Sequence, residues 1–261
     1  MADDTGEWRL DDAAAEYYET HFVPAIFSTW APLVVDAADL APGQRVLDVA
    51  CGTGIVARAA AERVGEAGGV VGIDLNASML KVARRLCPAV DWREGDATRL
   101  PFADASFDAT LSQAGLMFMP DPAAVLREMG RVVRANGIVV VHVFGESEGY
   151  ECLAEVLEDV AGAEVARIFR APFAMADARK LLGLLESAGL RSVRLETFAR
   201  PARFASVDEV VKTEIEAWVL KGRVDVEAVL PAARERLARY VGADGTVALP
   251  MKGHIVTSCK R

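Results

Sequence analysis

Arg45-Val46-Leu47-Asp48-Val49-Ala50-Cys51-Gly52-Thr53-Gly54 decides how this chain is read. Val46 to Val49 has the continuous apolar character of a buried strand, and the alanine-rich run Ile55 to Val64 behind it has that of a helix. Between them Gly52 and Gly54 permit a sharp turn and a close approach of backbone to a ligand, because neither carries a Cβ. A G-x-G alone is a weak signal. The third glycine of a dinucleotide fingerprint is replaced here by Ala57. Two acids sharpen the reading. Asp48 closes the strand, and Asp74 follows Val70-Val71-Gly72-Ile73, which reads as the next parallel strand. An acid at that place is positioned to accept hydrogen bonds from ribose hydroxyls.

Asp48 bears on which nucleotide. A phosphate-binding loop gathers backbone N–H groups around an anion, and a carboxylate at its mouth suits a cationic ligand better. S-adenosylmethionine (SAM) has a ribose and an adenine, no phosphate, and carries an ammonium and a sulfonium. With an acid, x-x-x, then G-x-G at Asp48, Gly52 and Gly54, the chain resembles the class I SAM-dependent methyltransferases, in particular the bacterial small-molecule group similar to ubiquinone/menaquinone C-methyltransferases. The specific motifs run from about Tyr17 to Phe144.

Further motifs carry the same resemblance. Val90 to Glu94 reads as a third strand ending in Gly95-Asp96-Ala97 and then Leu100-Pro101-Phe102. The resemblance implies that Asp96 accepts from the adenine amine, that the Ala97 N–H faces a ring nitrogen, and that Leu75 and Met79 lie along the adenine. Gly95 and Ala50 are expected beside the cofactor as parts of these turns. Ser106 to Gln113 reads as the fourth strand, and Gln113 falls at its carboxyl end, where open α/β sheets bind ligands. Asp121 and Pro122 suit the N-cap and first position of a helix over Ala123 to Val133. Ile138 to Phe144 reads as a fifth strand, apolar except for His142.

The expected architecture is α/β: a Rossmann-like, doubly wound sheet of about seven strands with the last antiparallel. Residues 1–40 are expected to form an N-terminal helical lid, and 41–145 the SAM-binding core. Residues 146–261 continue the same domain, with a helical cap over about 201–244. Glu151 to Val160, Ala176 to Ala188, Val207 to Leu220 and Val226 to Tyr240 read as helices. Val193 to Phe198 and His254 to Cys259 read as strands, and Gly189 as a helix stop. In the lid, Tyr18 is expected nearest the ligand. Tyr18 and Phe118 are the expected contacts to an acceptor.

Composition narrows the partners. Fifty-two per cent of the residues are apolar, and the net charge is −9 without a basic stripe, which argues against a nucleic-acid binder. Residues 1–16 hold six acids against Arg9 alone, unlike a secretory signal. No apolar run approaches the ~18 residues of a membrane span. Four cysteines and three histidines are scattered without metal-ligand spacing. A cytoplasmic protein with reduced thiols is therefore expected.

The resemblance implies methyl transfer from SAM, leaving S-adenosylhomocysteine, to an O, N or C nucleophile of a small molecule. Tyr17, Tyr18, His21, His142 and Glu146 are the polar groups available as a base. His142 is the one singled out, because it is the ionisable residue of an otherwise apolar strand that should end at the cleft. Other readings stay open at this point: bound SAM used for something other than methyl transfer, an NAD-dependent oxidoreductase, or a non-catalytic partner subunit. Acceptor identity and oligomeric state stay open too.

Overall fold

The computed structural model describes residues 10–191, 193–216 and 220–260. The first nine residues of the expected lid, Ser192, and residues 217–219 of the helix expected over Val207 to Leu220 lie outside the described residues. In chain order, α1 (Asp12–Tyr17), a π-helical turn (Tyr18–Phe22), α2 (Val23–Ala25), a 3-10 turn (Phe27–Thr29) and α3 (Ala31–Ala37) precede β1 (Arg45–Val49). Then come α4 (Ile55–Val64), β2 (Gly69–Asp74), α5 (Ala77–Leu86), β3 (Asp91–Glu94), β4 (Phe107–Gln113), α6 (Pro122–Val132) and β5 (Val133–Phe144). The second half holds α7 (Glu148–Ala161), α8 (Ala163–Arg170), α9 (Ala178–Ser187), β6 (Arg194–Ala199), β7 (Ala202–Phe204), α10 (Val207–Glu216), α11 (Val226–Leu237), β8 (Val247–Leu249) and β9 (Lys252–Cys259).

The main sheet has seven strands in the order β3-β2-β1-β4-β5-β9-β6. β1 to β5 are mutually parallel, and β9 runs antiparallel to both of its neighbours, β5 and β6. Order reverses between β1 and β4, where Asp48 pairs in register with Leu111. The crevice outside the carboxyl ends at such a reversal is where open α/β sheets hold ligands.

Alternation along the strands sends side chains to two buried layers. Val46, Leu111, Val140 and Ile255 pack against α3 and α4 on one face. Leu47, Val49, Val139, Val141 and Val256 pack against α6 and α9 on the other. Helix starts follow their expected chemistry. Asp121 accepts the Ala124 N–H at 2.9 Å ahead of Pro122, and Asn76 accepts from Ser78 and Met79 to open α5.

A third apolar cluster joins the N-terminal helices to the second half of the chain. Phe22, Phe27 and Trp30 meet Phe144, Tyr150, Phe169, Val210 and Leu230 there. Two features of this region were not expected. α8 is a short separate helix, and β7 pairs with β8 as a two-stranded ribbon, Ala202 opposite Leu249, that closes the ends of the segment carrying α10 and α11. β7 and β8 thus bracket the chain from 202 to 249. No helix among the described residues is long and apolar enough to cross a membrane.

Candidate active site

The carboxyl ends of β1, β2 and β4 open into a cavity with about 1780 Å³ of space between its atoms, counting the mouth. Its floor is the turn after β1. Gly52 there has φ +54°, Ala50 φ +55°, and Ala114, at the end of the adjoining β4, φ +52°. An alanine at positive φ is uncommon and costs of order 1–3 kcal/mol. Two such alanines at the ends of neighbouring strands shape a bend that the surrounding sheet enforces. A Cβ built on Gly52 would meet nothing within 4 Å, so that side of the turn is open to the cavity.

Both acids are held by backbone N–H groups. Asp48 is 1% exposed, and its Oδ2 accepts the Ala57 N–H at 2.9 Å in the first turn of α4. Burial pushes its carboxyl up to about 8, against the opposing pull of that N–H; the nearby Asp74 adds to the rise and Arg58 opposes it. Asp74 accepts the Gly52 N–H through Oδ2 and the Asn76 N–H through Oδ1, each at 2.8 Å. Burial raises Asp74 also, while the Asn76, Gly52 and Leu75 amides work against the shift.

Most of the residues singled out in the sequence come together around this space. Tyr18, Asp48, Ala50, Gly52, Asp74, Leu75, Met79, Gly95, Asp96, Ala97, Gln113 and Phe118 all line it. Leu75 is 37% exposed, an apolar side chain presented to the cavity directly after the Asp74 carboxylate. Asp96 caps its own turn by accepting the Thr98 N–H at 2.8 Å. Gln113 donates through Nε2 to the Phe27 carbonyl at 3.3 Å, tying the N-terminal helices to the sheet. Burial, then the charges of Asp74, Glu19 and Asp48, raise the Tyr18 phenol well above its ordinary value.

Two residues stand elsewhere. Gly54 is not on the cavity wall. Its Cβ position lies 2.2 Å from Cη2 of Trp92, and its φ is +87°, so glycine is required there by the turn and by the indole packed on it. His142 is the larger correction. It is fully buried, stacked on Trp30 at 4.6 Å between ring centroids and edge-on to Phe144 at 5.3 Å. It does not line the cavity, so it is withdrawn as a base. β5 reaches the cavity with Phe144, and His142, two residues earlier, is covered by Trp30 and by the Gly253 backbone, whose Cβ position is 2.7 Å from its Nε2. Neither ring nitrogen has a partner. Burial, with His254 nearby, lowers its pKa to about 3.

The remaining candidate bases divide in the same way. His21 stacks on Tyr17 at 3.8 Å, Glu146 pairs with Lys252 at 3.2 Å, and none of these lines the cavity. Of the five, Tyr18 alone does.

Sequence reasoning missed the far end of the cavity. Phe27, Phe144, Phe169 and Phe173 line it together with Tyr150 of α7 and Glu214 of α10, and Tyr150 packs on Phe169 and Phe173. The Tyr150 hydroxyl donates to Glu214 Oε1 at 2.7 Å. Both are buried, 4% and 6% exposed. Burial pushes Glu214 up to about 8, against the opposing effect of the Tyr150 bond. A signal for Glu214 existed: it falls three residues after Val211 and four after Val210, on the apolar face of its helix. Among the described lining residues there is no lysine, arginine or histidine, whereas Asp48, Asp74, Asp96 and Glu214 are all present.

Residues 47–141 match the family model described as a methyltransferase domain. A demethylmenaquinone methyltransferase of Renibacterium salmoninarum is 46% identical over 138 residues, 52% of this chain and 56% of that protein. A demethylmenaquinone methyltransferase of Lysinibacillus sphaericus is 34% identical over 174 residues, 60% of this chain and 74% of that protein. The chain spans about half the length of the relatives it matches at the higher identities, 56% and 53% in two cases. Among solved structures, phosphoethanolamine N-methyltransferase 2 of Haemonchus contortus, in complex with phosphomonomethylethanolamine and S-adenosylhomocysteine, aligns with a TM-score of 0.61. That alignment covers 95% of this chain and 57% of the other at 18% identity, a likeness of fold.

Proposed function

The chain belongs to the class I SAM-dependent methyltransferases, and we propose from that premise that it methylates a small, largely apolar acceptor at an O, N or C nucleophile. The observation that carries the cofactor assignment is electrostatic. The cavity wall brings together Asp48, Asp74 and Asp96 without a cation among the described residues; burial raises Asp48 and Asp74 in the ligand-free protein, and a positively charged ligand would favour their ionised forms where a pyrophosphate would oppose them. Two buried acceptors on the wall, Thr53 Oγ1 and Gln113 Oε1, lack partners and suit the donors of such a ligand. Bound there, SAM supplies an electrophilic methyl on a positively charged sulfur.

The chain's own residues do the holding. Asp74 and the Gly52 turn offer the ribose site, Leu75 and Met79 an apolar slot for the base, and Asp96 and Ala97 its polar edge. Tyr18, Phe22 and Phe27 cover the cavity from the N-terminal side, which supports a lid over residues 1–40, a core over 41–145 and a cap within 146–261. Alignment in a dry site can lower a displacement barrier by about 7–11 kcal/mol. The phenylalanines at the far end suit an aromatic or otherwise apolar acceptor, in keeping with quinone-type chemistry. Four unpaired cysteines suit a reducing cytoplasm.

Mass spectrometry of reactions with SAM and aromatic acceptors tests the reading. A product heavier by one CH₂ group, with S-adenosylhomocysteine released, is expected. A converted acceptor of unchanged mass would point instead to use of bound SAM without methyl transfer.

A further inference from the structure

Glu214 and Tyr150 are not among the residues assigned to the cofactor, yet both line the same cavity and are bonded to each other. The carboxyl is 6% exposed and lines the cavity together with Phe144, Phe169 and Phe173. Tyr150 stacks against Phe169 with 5.9 Å between centroids and 17° between planes, and lies 5.2 Å from Phe173. This fixes the phenol, and its hydroxyl in turn fixes Glu214 Oε1 at 2.7 Å. No other hydrogen bond reaches the Glu214 carboxyl among the described residues, and Oε2 is not among the buried oxygens that lack a partner. A buried carboxyl without a cation is expensive, and no packing need explains one on the apolar face of α10.

We propose that Glu214 is the general base of this enzyme, positioned by Tyr150, and that the acceptor is a planar aromatic hydroxyl compound whose ring lies among the phenylalanines. The proposal rests on the methyltransferase reading and adds the acceptor class and the base. The balance is simple. The acceptor hydroxyl gives its proton to the Glu214 carboxylate, the methyl–sulfur bond breaks with its electron pair remaining on sulfur, and the methyl carbon bonds to the acceptor oxygen. The products are an aryl methyl ether, neutral S-adenosylhomocysteine and a protonated Glu214, which then releases its proton to solvent.

The surroundings leave Glu214 poised for this step. α7 presents Tyr150, and Tyr17 of α1 lies beside Thr213 and feels the charges of Glu209 and Glu216 on α10 itself. Arg234, the cation that α11 brings to α10, is held by Asp208 at 2.6 Å in an exposed pair. Burial therefore dominates and pushes Glu214 up to about 8, near the operating range that favours general-base catalysis.

The test uses the whole chain, 2-naphthol as probe and 2-methoxynaphthalene as its counterpart without a proton. Calorimetry with S-adenosylhomocysteine present should show wild type preferring 2-naphthol by about tenfold or more, the scale of one good hydrogen bond to a charged group. Glu214→Gln should abolish the preference and keep the affinity for the ether. In turnover, log kcat/KM for 2-naphthol should rise with pH and level off above about 8. Glu214→Gln should lose that limb and about 10²–10⁴-fold of kcat, and Tyr150→Phe should displace the limb. No binding of 2-naphthol by wild type, or the same preference and pH profile in Glu214→Gln, would overturn the proposal. S-adenosylhomocysteine affinity keeps the two claims apart. If it is normal in every variant, such a result removes only the base and the acceptor class; if wild type lacks it, the methyltransferase reading itself fails.

Discussion

The Gly52 N–H donates to Asp74 Oδ2 at 2.8 Å, so the acid at the end of β2 holds the glycine turn at the end of β1 before any ligand arrives. The Asn76 amide holds its other oxygen at the same distance. The carboxylate is thereby fixed in place while keeping lone pairs for ribose hydroxyls. Asp74→Ala removes the anchor and the acceptor together. Hydrogen bonds to a charged group are worth about 1.5–3 kcal/mol each, so SAM affinity is expected to fall by roughly one to two decades. Calorimetry on the folded variant measures it, and an unchanged affinity would take Asp74 out of the site.

The two glycines of the motif are expected to separate by experiment. Alanine at Gly54 would drive its Cβ to 2.2 Å from the Trp92 ring at φ +87°. Overpacking costs about 1–3 kcal/mol and the left-handed backbone roughly 1–2 kcal/mol, so urea unfolding should show a clear loss of stability. Alanine at Gly52 has open space and bears only the backbone cost. Its main effect should be on cofactor affinity, since the new methyl points where a ligand approaches. Equal stability losses in the two variants would contradict this division.

Much of this site could be read from the sequence because β1, β2 and β4 are buried on both faces and the strands end in small, charged turns. Continuous apolar runs mark β1, β2 and β5, Asp48 and Asp74 fall at the ends of β1 and β2, and Gly95-Asp96-Ala97 follows β3. The part of the cavity around Glu214 was hidden for a physical reason. Glu214 sits in Val207–Glu216 among other acids, and a buried glutamate has the same letter as a solvated one. Only its phase against Val210 and Val211 separates them. The ribbon of β7 and β8 was equally hidden, because three-residue strands are too short for an alternating pattern. His142 misled in the opposite way: strand position alone does not show that Trp30 of a distant segment covers it.

The burial of ionisable groups makes stability depend on pH. Asp48 and Glu214 keep their protons in the fold up to about 8, whereas in the unfolded chain they lose them near pH ~4. The folded state therefore binds more protons between these values, and stability falls as pH rises through that window. His142, lowered from 6.5 to about 3, acts in the opposite sense: the unfolded state binds the extra proton, so its contribution is lost as pH falls below about 6.5. Between about pH 6.5 and 8 His142 no longer contributes, and the buried acids, Asp74 raised in the same direction, each lower stability by at most about 1.4 kcal/mol per pH unit. The melting temperature of the ligand-free protein should drop over that interval, and Glu214→Gln should lessen the drop. A flat profile in both proteins would contradict the burial of these acids.

His142→Leu gives a further expectation. Both ring nitrogens lack partners in an aromatic slot, and an unsatisfied buried polar group costs about 1–3 kcal/mol. An apolar side chain of similar size should keep or raise stability and leave SAM affinity alone. Loss of methyl transfer in a stable His142→Leu protein would return the residue to the mechanism.

The central claim is that the acid-lined cavity at the ends of β1, β2 and β4 holds SAM. Parallel calorimetric titrations of the wild-type chain with SAM and with NAD test it most directly. Saturable heat for SAM at one site per chain, and none for NAD under the same conditions, is the expected result; saturable NAD binding without a SAM signal would contradict the account.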